Sequence, residues 1–68
     1  MENLGEKLKS LRIDRGWTQS KMGELLSVSQ DTVSLWERSK SLPDLGAVVR
    51  ICIECGVSAD WLLGLEED

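Results

Sequence analysis

Between Thr18 and Glu37 the chain must form two short helices with almost no loop between them. Thr18 and Ser29 each stand just before an apolar pattern of helical spacing. Each side chain can accept a hydrogen bond from the unpaired amides of the turn that follows, so each marks a helix start. Met22, Leu25 and Leu26 carry the first pattern, and Val28, Val33 and Trp36 surround the second. If the helices cross steeply about a turn of roughly three or four residues, positions 22, 26, 33 and 36 face inward together. That requirement fixes the centre of the fold before any other segment is placed.

The flanking segments are helical too. Asn3 with Glu6 is a capping-box pattern, and Leu4, Leu8 and Leu11 then recur at helical spacing up to Gly16, a residue suited to a left-handed stop. Trp17 follows that stop and is expected to fold back on the core. Ser39 to Pro43 is the one clear loop, because Pro43 disfavours helical geometry at Leu42 and Asp44 can cap what comes next. Leu45, Val48, Val49, Cys52 and Cys55 then carry a helical period to Gly56. Ser58 caps a short last helix through Asp60, Trp61, Leu62 and Leu63, ending at Gly64 and an acidic tail. The expected helices are 4–15, 19–26, 30–38, 45–55 and 59–63, with the third ending at Glu37 or Arg38. No strand alternation intervenes, so the fold class is all-α, a small five-helix orthogonal bundle. A chain of 68 residues buries only about 60% of its unfolded surface, so residues 1–68 are read as one domain.

Composition excludes several function classes. With no His, no Tyr and two Cys, the parts of an acid–base or metal site are scarce, and neither enzyme activity nor a cofactor is expected. Cys52 and Cys55 have Cys-x-x-Cys spacing, but zinc needs about four ligands and no second pair exists. They are read as small apolar residues on the inner face of a helix, a redox pair being the lesser alternative. No apolar run approaches the roughly 20 residues of a membrane span, which leads to the expectation of a soluble cytoplasmic protein. The formal charge of −4 is unevenly spread. Residues 1–43 hold seven basic and six acidic side chains, whereas residues 44–68 hold one and six. The acid is concentrated away from the paired helices, where a solvated terminus explains it.

With these elements placed, the outline is a helix-turn-helix, which points to DNA. From about Leu4 to Leu63 the chain resembles the phage Cro/repressor-type (XRE-like, lambda-repressor-like) family. The matching residues are Leu8-Lys-Ser-Leu-Arg12, Gly16-Trp-Thr-Gln19, Met22-Gly23, Val28-Ser29, Val33, Trp36-Glu37, Pro43, Leu45 and Gly56-Val-Ser-Ala-Asp-Trp-Leu-Leu63. The resemblance implies a sequence-specific transcriptional regulator, acting as a homodimer on a two-fold double-stranded DNA operator. The third helix would enter the major groove while the second spans the backbone.

On that basis Gln30, Asp31, Thr32 and Leu35 match groove-facing positions. Gln30 can pair bidentately with adenine, Thr32 can offer a hydroxyl or methyl contact, and Leu35 can lie against a thymine methyl. Asp31 can accept from cytosine but repels phosphates. Thr18, Gln19 and Ser29 lie at helix starts whose amides can hold a phosphate, although capping alone also explains Thr18 and Ser29. Lys9, Lys21, Arg38 and Lys40 are the expected cations for phosphates, with Arg15 a lesser candidate. Arg12 and Glu37 match a family pair that bridges the first and third helices, phosphate binding by Arg12 being the alternative. Trp61, Leu62, Leu63 and Leu65 are the expected dimer interface, with Trp61 and Leu62 also packing on the fourth helix.

Three departures from the family pattern carry weight. Ser27 stands at a turn where glycine is common, and Ser39 replaces the usual glycine after Glu37-Arg38; either retains about a kilocalorie of strain if its φ is positive. Leu25 and Leu35 are apolar where polar residues are usual, so either Leu35 reads DNA or that face meets a protein. The competing reading is therefore a protein-interaction module on the same fold, an antitoxin or the docking domain of a larger regulator. The negative balance, Asp31 and Leu35 support it.

Overall fold

A computed structural model describes residues 3–65. It contains α1 (Leu4–Asp14), α2 (Gln19–Leu26), α3 (Gln30–Glu37), α4 (Leu45–Cys55) and α5 (Ala59–Leu62). Each helix opens on a polar cap in extended backbone: Asn3, Thr18, Ser29, Asp44 and Ser58. Every one of these side chains accepts from the amide three residues on, and each such bond contributes about 1 kcal/mol. At Asn3 the capping box is complete, with Glu6 N donating to Asn3 Oδ1 at 2.8 Å and Asn3 N donating to Glu6 Oε1 at 3.0 Å. Arg15, Arg38 and Leu63 prove to be C-cap residues rather than the last residues of their helices.

The helices form an orthogonal bundle around one contiguous core. Leu8 and Leu11 of α1, Met22 and Leu26 of α2, Val33 and Trp36 of α3, Val48, Ile51 and Cys55 of α4, and Leu62 of α5 are its buried members. Trp17 folds back onto this core and is partly buried there. The inward face of α4 differs from the expected one. Leu45 is 79% exposed and Val49 51% exposed, whereas Ile51 is sealed inside. Apolar residues surround α4 on nearly all sides, so periodicity alone leaves its rotation open, and packing selects the set Val48, Ile51 and Cys55.

Two cations, Lys7 within α1 and Arg15 at its C-cap, tie the far helices down. Lys7 is only 8% exposed; its Nζ donates to the Trp61 carbonyl and lies 5.0 Å from the centre of the Trp61 ring. The carbonyl and the π face together replace the water that the ammonium lost. Arg15 donates to the Cys55 carbonyl, at the negative end of α4, and is thereby engaged away from the paired helices. At the other end of α1, Gly5 lets the helix cross the end of α3. A Cβ there would stand 2.5 Å from the Trp36 carbonyl oxygen.

Candidate nucleic-acid interface

The paired helices α2 and α3 are joined by Ser27 in the left-handed conformation, with φ 61° and ψ 39°. The amide of Val28 returns to the Gly23 carbonyl at 2.9 Å, which closes the turn. Gly23 is required by this closure, since an added Cβ would meet the Val28 carbonyl oxygen at 2.6 Å. Ser39 also has positive φ, 59°, and there the Lys40 amide reaches back to the Leu35 carbonyl at 2.9 Å. Both serines therefore hold glycine's conformation with a side chain attached, at a cost of about 1 kcal/mol each.

Behind the paired helices lies a bidentate ion pair. Arg12 Nε donates to Glu37 Oε2 at 2.7 Å and Arg12 Nη2 to Glu37 Oε1 at 3.1 Å, while Nη1 donates to the Trp17 carbonyl at 3.0 Å. The Glu37 side chain is 3% exposed. Its hydrogen bond to Arg12 raises the guanidinium above its already high ordinary pKa, outweighing the lowering by burial. Such a desolvated pair fixes geometry more than it adds stability, and losing one partner costs about 3–5 kcal/mol. Arg12 is thus committed within the fold and turned from solvent phosphates.

Glu37 has a further partner. Gln19 Nε2 donates to Glu37 Oε1 at 3.0 Å, and Gln30 Nε2 donates to Gln19 Oε1 at 2.6 Å. Gln19, expected to contact phosphate, and Gln30, expected to read a base, are in direct contact with each other. No spacing rule within one helix announces a bond between the first residues of two successive helices. Their equivalent positions after Thr18 and Ser29 were the available signal.

Gln30, Asp31 and Leu35 are exposed on α3, with Leu35 only just so. Thr32 is half-buried, and its hydroxyl lies 2.9 Å from Ser29 Oγ, which also caps the Thr32 amide at 3.1 Å. Thr18 Oγ1 accepts from the Lys21 amide at 3.0 Å, so both N-cap hydroxyls are engaged in capping. Lys9, Lys21, Arg38 and Lys40 are exposed, and Arg38 Nε bonds Ser34 Oγ at 3.2 Å. With Lys7, Arg12 and Arg15 engaged internally, these four are the remaining Lys and Arg side chains among the described residues up to position 43.

The expected dimer interface is divided. Leu62 is 1% exposed and belongs to the core, so it is withdrawn from any surface contact. The reason is the shortness of α5, whose one fully buried position is spent on closing the bundle. Trp61 is half-buried beside Lys7, whereas Leu63 and Leu65 are exposed. Leu63 shares a shallow depression with Leu4 and Leu42. Among the described residues, no three His, Cys, Asp or Glu side chains converge on a common point. No helix there is long and apolar enough to cross a membrane.

Residues 8–62 match the sequence model of a family described as helix-turn-helix. The chain is 34% identical over 59 residues to the SPbeta prophage-derived uncharacterized HTH-type transcriptional regulator YonR of Bacillus subtilis, covering 87% of this chain and 55% of that protein. It is 34% identical over 65 residues to the HTH-type transcriptional regulator ImmR of the same organism, covering 96% of this chain and 51% of that one. It thus spans about half the length of these two relatives. Among solved structures, the P22 c2 repressor in complex with a synthetic operator superimposes with a TM-score of 0.90 at 26% identity, covering 97% of this chain and all of that one.

Proposed function

This chain belongs to the Cro/repressor-type (XRE-like) helix-turn-helix family of transcriptional regulators, and we propose that it binds double-stranded DNA sequence-specifically as a repressor-like dimer. The carrying observation is that α3 presents Gln30, Asp31 and Leu35 outward while α2 begins beside it on Thr18 and Gln19. A helix so displayed fits the major groove with its first residues at base edges, and the start of its predecessor meets the backbone. Gln30 reads adenine, and Leu35 lies against a thymine methyl. Lys9, Lys21, Arg38 and Lys40 take phosphates. Each neutralised phosphate adds about 0.9 to the salt slope, so four contacts give a logarithmic slope near −4 and weak non-specific binding.

Pairing through Leu63 and Leu65, with Leu42 beside them, brings two copies together and presents two α3 helices about 34 Å apart along one face of the duplex. Selection from a random duplex library tests the reading. The expected product is an enriched palindrome. Lys40→Glu then weakens every duplex alike, and Gln30→Ala relaxes one base position in each half-site by about 1–3 kcal/mol. If neither substitution changes binding, the proposed face is wrong.

A further inference from the structure

The outer face of α4 carries an apolar stripe that the bundle does not cover. Leu45, Val49 and Ile53 recur every four residues along it, and all three are exposed, Ile53 to 69%. Helical spacing stacks them into one row about 12 Å long. Val49 and Ile53 also border an open groove of about 530 Å³ between α3 and α4, with Leu26 and Trp36 in its wall and the exposed Leu42 on its lining. Single exposed apolar side chains are ordinary, but four of them gathered around one groove mark a contact surface. Gln30, Asp31 and Leu35 do not line this groove, and Thr32, which does, has its hydroxyl against Ser29. The surface is therefore separate from the outward edge of α3.

The charges beside the stripe say what covers it. Arg50 and Glu54 stand on one edge of α4, with Arg50 Nε 3.4 Å from Glu54 Oε2, and both side chains remain in contact with water. One carboxylate cannot engage all five guanidinium donors, so each member of the pair keeps capacity for another partner. Arg50 lies two residues before Cys52 and Glu54 two residues after it. A two-fold axis level with Cys52 brings a second α4 alongside in the opposite direction, its Glu54 against Arg50 and its Arg50 against Glu54. In that register the two Ile53 side chains are offset by about 3 Å along the helix and meet at the centre. Each Val49 then lies near Gly56 of the second copy, where an added Cβ would meet nothing within 4 Å. An axis level with Val49 would instead oppose Arg50 to its own copy, so charge selects the register.

We propose that the stripe of Leu45, Val49 and Ile53 is a second self-docking surface, on which another copy of this chain packs its own α4 antiparallel. Arg50 and Glu54 exchange partners across the axis. The surface is distinct from the contact at Leu63 and Leu65, so copies paired through one can meet through the other, with or without DNA.

Sedimentation equilibrium up to millimolar protein tests this in a Leu63→Glu background, where the other contact is suppressed. A reversible monomer–dimer step is expected to persist there. Ile53→Lys sets two like charges at the centre and should weaken that step about tenfold or more. Arg50→Glu and Glu54→Arg should each weaken it about tenfold, and the double exchange should recover the parent value within about threefold. That recovery separates a charge-matched antiparallel contact from the general stickiness of an apolar stripe. Thermal melts identify the folded variants, and if Ile53→Lys does not fold, the charge exchange alone is the test. A Leu63→Glu protein that is monomeric throughout, a step indifferent to folded Ile53→Lys, or a double exchange no better than the single ones overturns the proposal. If Leu63→Glu changes nothing while Ile53→Lys removes all association, copies pair through α4 and the contact at Leu63 is what fails.

Discussion

At the scale of single residues, the two left-handed serines and the two cysteines show opposite relations between identity and environment. Ser27 and Ser39 hold φ of 61° and 59°, a conformation that glycine adopts without a Cβ penalty. Ser27→Gly should therefore stabilise the fold by about 0.5–1 kcal/mol and raise Tm by several degrees, measured by thermal melting. Cys55 is where its environment wants it. Burial pushes its thiol above the ordinary value, and the nearby Arg15 charge offsets that only in part. At neutral pH iodoacetamide should label the half-buried Cys52 first and leave Cys55 to react at the rate of opening. The sign for stability follows from the same shift. The unfolded chain ionises Cys55 near pH 8.5, below the folded value, so stability is complete at neutral pH and falls as pH climbs through that window. Urea midpoints at neutral and alkaline pH should show this fall, reduced in Cys55→Val.

At the scale of elements, all five helix starts were legible because a cap is a local event: one side chain meets an amide three residues away. The stops were legible within a residue. The glycines were less so, since the same residue has opposite value in two helices. Gly5 sits where α1 crosses the end of α3, and a methyl group would collide with the Trp36 carbonyl. Gly46 lies in the first turn of α4, where an added Cβ meets only Asp44 Oδ1 at 3.6 Å. Gly5→Ala should cost about 1–3 kcal/mol, while Gly46→Ala should gain about 0.5–1 kcal/mol from helix propensity. Parallel urea titrations of the two variants check both signs.

At the scale of the whole molecule, charge and apolar surface are sorted by internal commitments. Three of the seven cations in the first forty-three residues are engaged at Trp61, Glu37 and Cys55, which leaves Lys9, Lys21, Arg38 and Lys40 exposed. Leu62 closes the bundle, and the proposed two-fold contact falls to Leu63 and Leu65. Leu63→Glu should leave the monomer folded, because the side chain is half exposed and outside the buried core, and should lower self-association at least tenfold by sedimentation equilibrium. Unchanged association would move the pairing surface elsewhere.

The order of helices, their caps, the tight turn at Ser27 and the family were determined by the sequence alone, because each depends on neighbours within a few positions or on spacing along one helix. The exposed candidates Gln30, Asp31 and Leu35 were legible for the same reason. The rotation of α4, the burial of Lys7, and the hydrogen-bonded path from Glu37 through Gln19 to Gln30 were decided only by tertiary structure. An apolar or amphipathic side chain is stable on more than one face of an isolated helix. Its final place is chosen by the free energy of close packing and of satisfied polar groups between segments far apart in the chain, and no local pattern encodes that sum.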